Sequence, residues 1–220
     1  TATTSDWITV VQDDFEGALS GDWTVMDDTG PVDGEYYWYT RNCRAYAGGQ
    51  SLWAVGGGAN GATLTCGSTY PNNADSWLIY GPFSLDDATD AEMRFRLWLN
   101  SQAGDNFWYL VSTTGSSFTG YRLSGNSDGW VQKTLSLSSD PQLGSLLGEE
   151  NVWVAFIFSS DGSGATSEGA FIDDVIIRKQ APGGATTPTA TRTATYTPTA
   201  TATGTPTETL APTATGTRTP

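Results

Sequence analysis

The sequence predicts an all-β, two-layer antiparallel sandwich followed by a low-complexity extension, and three observations carry that prediction. Short apolar runs alternate with turn chemistry along the first 180 or so residues, with almost no helical periodicity. All nine tryptophans and both cysteines precede Gly184, so the hydrophobic core belongs to that part. Beyond it, every odd position from Thr187 to Thr219 is threonine except Ala211. The chain therefore divides into a sandwich, residues 1–181, and a Thr/Pro-rich arm or linker, residues 182–220.

Taken in order, the expected strands are Trp7–Phe15, Trp23–Met26, Tyr36–Arg41, Ser51–Val55, Ser76–Tyr80, Ala91–Asn100, Asn106–Ser112, Phe118–Leu123, Trp130–Leu137, Asn151–Phe158 and Ala170–Lys179. So many short strands imply two layers. Within Ala91–Asn100, Met93, Phe95, Leu97 and Leu99 share one face while Arg94, Arg96 and Trp98 share the other, the alternation of a half-buried antiparallel strand. In Asn151–Phe158 both faces are apolar, which predicts cover on both sides. The turns DDTG, GGGANGA, GNSDG and SDGSG separate these runs. Asp140–Gly148 is the one segment that reads as a short helix.

Charge and composition exclude several functions. Of 24 acidic and 10 basic residues, only Glu208, Arg192 and Arg218 lie beyond Gly184, so the sandwich is strongly acidic and repels nucleic-acid phosphates and anionic membranes. The chain contains no histidine, which removes the usual base of serine and cysteine hydrolases and the commonest ligand of catalytic zinc. No GxSxG elbow is present, and the acid pairs Asp27/Asp28, Asp86/Asp87 and Glu149/Glu150 read as turn residues rather than glycosidase carboxylates. A non-enzymatic role is expected. No stretch approaches ~20 apolar residues, so no membrane span is expected, and no charged-then-apolar leader precedes Thr1, so the chain reads as a mature exported product.

Two thiols in a Gly/Ser/Thr/Trp-rich chain suggest an oxidising compartment and a Cys43–Cys66 disulfide, the alternative being two separate buried thiols. Aromatics cluster at Tyr36–Tyr39, at Trp53 and at Phe107–Tyr109. Exposed Trp and Tyr stack sugars, which makes Trp38 and Trp108 candidate glycan or subunit contacts. The competing reading is core packing, since the period of two sends Tyr36 and Trp38 to one layer and Tyr37 and Tyr39 to the other.

The stretches DDFEG (Asp13 to Gly17), YPNNADSWLIYGPFSL (Tyr70 to Leu85), FWYLVSTTGSSF (Phe107 to Phe118), GWVQKTLSLS (Gly129 to Ser138) and FIDDVIIRK (Phe171 to Lys179) carry a family resemblance. Together they resemble the MAM-like jelly-roll domains of bacterial secreted proteins, which also accompany immune-inhibitor-A-type metallopeptidases. That resemblance implies a jelly-roll sandwich used in adhesion or carbohydrate contact, without catalysis, in an extracellular or cell-surface setting. It further implies a structural calcium where the first and last strands meet, and the matching acids are Asp14, Glu16 and Asp174, with Asp173 adjacent.

The tail has the composition of an O-glycosylated stalk, too poor in apolar surface to collapse by itself. Thr187, Thr189, Thr197, Thr199, Thr205, Thr207 and Thr213 are the candidate glycan acceptors. An extended chain would place threonines on one side and residues such as Arg192 and Tyr196 on the other, with Leu210 further along the same side. Two readings follow. In the one expected first, the chain is a non-enzymatic extracellular structural subunit and its tail an arm that adds to a sheet edge of a neighbouring copy and builds a glycosylated filament or surface layer. In the other, the tail is a passive stalk under a carbohydrate-binding or adhesion module.

Overall fold

A computed structural model describes residues 6–30, 33–165 and 167–182. Eleven strands form two antiparallel sheets, as the alternation predicts. They are β1 (Trp7–Asp13), β2 (Trp23–Asp27), β3 (Tyr37–Arg41), β4 (Ser51–Gly57), β5 (Asp75–Phe83), β6 (Asp90–Asn100), β7 (Asn106–Ser112), β8 (Thr119–Leu123), β9 (Val131–Ser136), β10 (Val152–Ser159) and β11 (Gly169–Gln180). One sheet runs β3-β4-β11-β6-β9 with β1 also paired to β11; the other runs β2-β5-β10-β7-β8.

Strand β11 organises the first sheet. It pairs along its length with β6, and on its other edge it pairs first with β4, through Phe171–Trp53 and Ile172–Leu52, and then with β1 from Val175 onward. The change of partner coincides with an irregularity between Asp173 and Ile176, where Asp174 adopts a left-handed φ of 47°. Aspartate tolerates that conformation better than most residues. The early FEG segment and the late IDDV segment are thereby brought side by side.

Between the sheets lies an aromatic core. Phe156 is fully buried, with Phe95 edge-on at 4.9 Å, Phe107 stacked at 6.1 Å and Trp23 at 6.3 Å. Alternation supplies it from both layers: Met93, Phe95, Leu97 and Leu99 from β6, and Val154, Phe156 and Phe158 from β10, are all buried. Trp38 is part of this core. It is fully buried, sits edge-on to Phe107 at 6.2 Å and donates its indole N–H to the Ser76 carbonyl at 3.1 Å.

The segment Asp140–Gly148 does not form the expected helix; among the described residues the only helix is the single turn α1 (Gly58–Gly61). Asp140 and Gly144 exchange backbone hydrogen bonds, while the Asp140 carboxylate takes the amides of Gln142 (2.9 Å) and Leu143 (3.0 Å). A side chain that captures these amides, together with Gly144 at φ 76°, makes a closed turn instead of a helical one. Asp140 also accepts from the Tyr121 hydroxyl at 2.7 and 2.9 Å, tying this turn to β8.

Cys43 and Cys66 form a disulfide across 23 residues. Its removal by a Cys43→Ser/Cys66→Ser double variant is expected to cost about 3 kcal/mol of stability, read as a fall in the midpoint of chemical denaturation with a slope equal to or steeper than the parent's, since the unbridged unfolded chain exposes more surface.

Burial alone would push the Asp140 carboxyl up, but the Tyr121 hydroxyl and the Leu143 and Gln142 amides together hold it below its usual value. A depressed carboxyl contributes stability that is full above the ordinary aspartate range and is lost as pH falls through the folded-state value. The melting temperature of Asp140→Asn is therefore expected to lie below that of the parent at neutral pH, and the gap to narrow on acidification below about pH 4.

Candidate functional site

Each sheet has an outward face, and the two differ in what covers them. On the sheet containing β11, Tyr39, Trp53, Phe171 and Trp98 form a row across β3, β4, β11 and β6. Trp53 and Phe171 are fully buried and stacked at 5.4 Å with 5° between the planes, and Trp98 meets Phe171 edge-on at 5.5 Å. The loop 42–50 lies over this row. Its Arg44 guanidinium sits 3.7 Å above Trp98 and pairs with Glu168, and its Tyr46 ring packs on Trp130 and under Arg96.

Three anchors hold the loop down. Cys43 is disulfide-bonded to Cys66. Asp173, wholly buried, accepts the amides of Tyr46 at 2.7 Å and Ala47 at 3.4 Å. Glu16 accepts those of Gly49 and Gln50 at 2.9–3.0 Å. Burial raises the Asp173 carboxyl above its usual value, against the lowering effect of the Tyr46, Asp174 and Ala47 amides.

The outward face of the five-stranded sheet carries a second apolar cluster, separate from the core. Leu110, Ala155 and Ile157 are buried at its centre, and Trp77, Ile79, Trp108 and Phe118 are half-buried around them. Strand register lines up Met26, Trp77, Ile157, Trp108 and Arg122 in one row across β2, β5, β10, β7 and β8. Trp77 and Trp108 are thus two strand spacings apart, about 10 Å.

Both indoles are pinned. Trp108 donates to Ser159 Oγ at 3.3 Å and Trp77 to Asp75 Oδ1 at 3.0 Å, while Phe118 stands edge-on to Trp77 at 5.8 Å and the Arg122 guanidinium lies 5.4 Å from the Trp108 ring. The Asp75 carboxyl is raised, chiefly by burial and further by the charges of Asp28 and Asp27, despite the opposing hydrogen bond from Trp77. The result is a fixed aromatic platform with an acidic end and a basic end.

At the acidic end, beside the free edge of β2, lies a cleft of about 520 Å³ lined by Val25, Met26, Asp27, Gly30, Glu35, Tyr37, Ala59 and Asn60. Met26, 37% exposed, belongs to both the row and the cleft.

Of the residues expected from sequence to contact ligand, Trp108 stands on the platform. Trp38 does not: its place in the core, fully buried, removes it as a surface contact. Glu16 and Asp173 serve the loop, and Asp14 accepts the Glu16 amide at 3.2 Å. Among the described residues no three histidine, cysteine or carboxylate side chains gather to hold a metal ion. The tail residues Thr187, Thr189, Arg192, Tyr196, Thr197, Thr199, Thr205, Thr207, Leu210 and Thr213 lie outside the described residues. Trp77, Phe118 and Arg122 were not legible as site residues, although the off-parity apolar pair Trp77 and Ile79 was a usable signal.

No family model matches the chain, and no curated protein does. Among solved structures it is similar to a cleaved adhesin domain of Lys-gingipain from Porphyromonas gingivalis, with 18% identity, a TM-score of 0.50, and cover of 79% of this chain and 98% of that one. A second cleaved adhesin domain of the same protein gives 18% identity, a TM-score of 0.49, and cover of 77% and 98%. A family 11 carbohydrate-binding module of a cellulosomal cellulase from Clostridium thermocellum gives 14% identity, a TM-score of 0.47, and cover of 80% and 95%. At such identities the likeness speaks to the sandwich fold alone.

Proposed function

We propose that this chain is a non-catalytic carbohydrate-binding or adhesion module whose ligand lies on the outward face of the five-stranded sheet. The observation that carries the reading is the second apolar cluster with its two pinned tryptophans. On the other sheet the outward aromatic row serves the fold, under the 42–50 loop, whereas Trp77 and Trp108 stay half-buried at the surface, where the apolar C–H faces of a sugar ring can stack on indole. Hydrogen bonds to Asp75 and Ser159 fix the indoles in advance, so little side-chain entropy is lost on binding. The reading agrees with the adhesin and carbohydrate-binding names of the similar structures and with the acidic surface, which favours uncharged ligands over nucleic acid. The disulfide fits an extracellular setting.

The structural calcium implied by the family resemblance stays a proposal, at the junction of β1 and β11 near Asp14, Glu16 and Asp174. The alternating tail supports two further proposals, O-glycosylation and assembly of copies through the arm, because its strict threonine period makes a two-sided chain when extended.

Trp108→Ala and Trp77→Ala are expected each to weaken binding to polysaccharide by tenfold or more, about 1.4 kcal/mol, measured by affinity electrophoresis in gels containing xylan or β-1,4-galactan. Unchanged thermal unfolding would show that the sandwich is intact, and unchanged retardation of both variants would remove the platform reading.

Deleting 185–220 is expected to leave that retardation intact. It should also abolish any polymer seen by light scattering and remove any hexose mass from the intact protein; no Asn-X-Ser/Thr occurs in the chain to carry it elsewhere through asparagine. Polymers that survive the deletion would rule out the arm.

A further inference from the structure

Given the platform, we infer that the cleft beside the free edge of β2 is its end subsite, taking an uncharged sugar of an extended β-1,4-linked glycan that crosses the strands from Arg122 toward Met26. This inference rests on the platform reading and adds to it a direction, a length and a charge preference.

The geometry has four parts. First, Met26 is both the last member of the row and a wall of the cleft, while Val25 beside it packs toward the core, so the cleft lies at the sandwich edge, where a chain on Trp108 and Trp77 enters it by bending over β2. Second, the spacing suits the ligand: two strand spacings, about 10 Å, separate the indoles, close to the disaccharide repeat of an extended β-1,4-linked chain. Alternate sugars would then stack while those between them lie over Ile157.

Third, the cleft walls are pre-oriented. Asp27 is consumed by structure, its carboxylate accepting from Thr29 N (3.0 Å), Thr29 Oγ1 (2.7 Å) and Tyr36 N (2.8 Å). Glu35 is steadied by the Ala59 amide on Oε2 at 2.5 Å, and its own amide donates to Asn60 Oδ1 at 2.9 Å. Among the described residues, no hydrogen bond engages Glu35 Oε1, Asn60 Nδ2 or the Tyr37 hydroxyl. Glu35, Asn60 and Tyr37 thus bring an uncommitted acceptor, donor and hydroxyl to the lining of a space of about 520 Å³ that Val25 and Met26 also line, a mixture suited to a sugar's hydroxyls and C–H face.

Fourth, the charge is one-sided. Asp27 and Glu35 line the cleft and Asp28 and Asp75 lie close to it in the chain or the sheet, so a uronate or sulfated sugar meets like charge there. A neutral sugar does not.

Isothermal titration with β-1,4-linked cello-, manno- and xylo-oligosaccharides, from disaccharide to hexasaccharide, tests this on the parent, on Trp108→Ala and on Glu35→Gln/Tyr37→Phe. For the parent, affinity should climb with length until platform and cleft are both filled, and β-1,4-linked oligomannuronates should bind at least tenfold more weakly than manno-oligosaccharides of equal length. The cleft variant should match the parent on the shortest sugars and lose about tenfold on the longest, while Trp108→Ala should weaken every length. A cleft variant equal to the parent at all lengths, beside a crippled Trp108→Ala, overturns the inference and leaves the platform standing. Oligomannuronates binding as well as manno-oligosaccharides overturn it too, and binding of none of the neutral sugars by the parent removes inference and platform together.

Discussion

The architecture depends on a carboxylate in an unusual place. Asp173 is buried in the middle of β11, and no arginine or lysine pairs with it among the described residues; backbone amides stabilise it instead. A well-formed hydrogen bond to an ionised acceptor contributes about 1.5–3 kcal/mol; of the two from the 42–50 loop, the Tyr46 amide at 2.7 Å is of that kind and the Ala47 amide at 3.4 Å is weak, and burial of the carboxyl opposes both. The same point in β11 is where its edge passes from β4 to β1. One residue therefore lies at the change of strand partner and at the attachment of the loop that covers Trp53 and Phe171. On that face Tyr39 and Tyr46 remain 45% and 43% exposed around the buried pair, while the other sheet presents the half-buried Trp77 and Trp108.

Much of this was legible in the chain itself. Short apolar runs between turn residues marked all eleven strands, with ends that shifted by only a few residues, and in Ala91–Asn100 the alternation of a pleated strand gave the core face as well. Where both sides are aromatic, periodicity does not reveal which one faces the core. In Tyr36–Tyr39 both parities are aromatic, and only the tertiary arrangement, with Trp38 reaching Ser76 on the opposite sheet, shows that Trp38 is inside. For β10 the expectation of cover on both sides matched Ala155 and Ile157, yet the sequence did not say that Trp77, Trp108 and Phe118 from three other segments surround them.

Two other features were hidden for different reasons. The cleft draws Asp27, Glu35 and Asn60 from β2, a loop and α1, and no local spacing announces a convergence of that kind. The turn at Asp140 deceived in the opposite sense: Asp140–Gly148 read as a short helix, but one aspartate side chain bonding two amides and a glycine with positive φ favour a closed loop. Asp174 departs from simple alternation as well, since at φ 47° it is no longer in extended backbone and the rule that neighbours oppose one another lapses.

The Cys43–Cys66 bond brackets β4, α1 and the exposed stretch around Ala62, Thr63 and Thr65. A protease that nicks this stretch cuts one peptide bond but releases no fragment. Both new ends remain tethered by sulfur and by the ladders of β4, so the module outlasts a lesion that would dismember an unbridged chain. Durability of that sort suits a protein working among secreted hydrolases, where survival after cleavage matters as much as resistance to it.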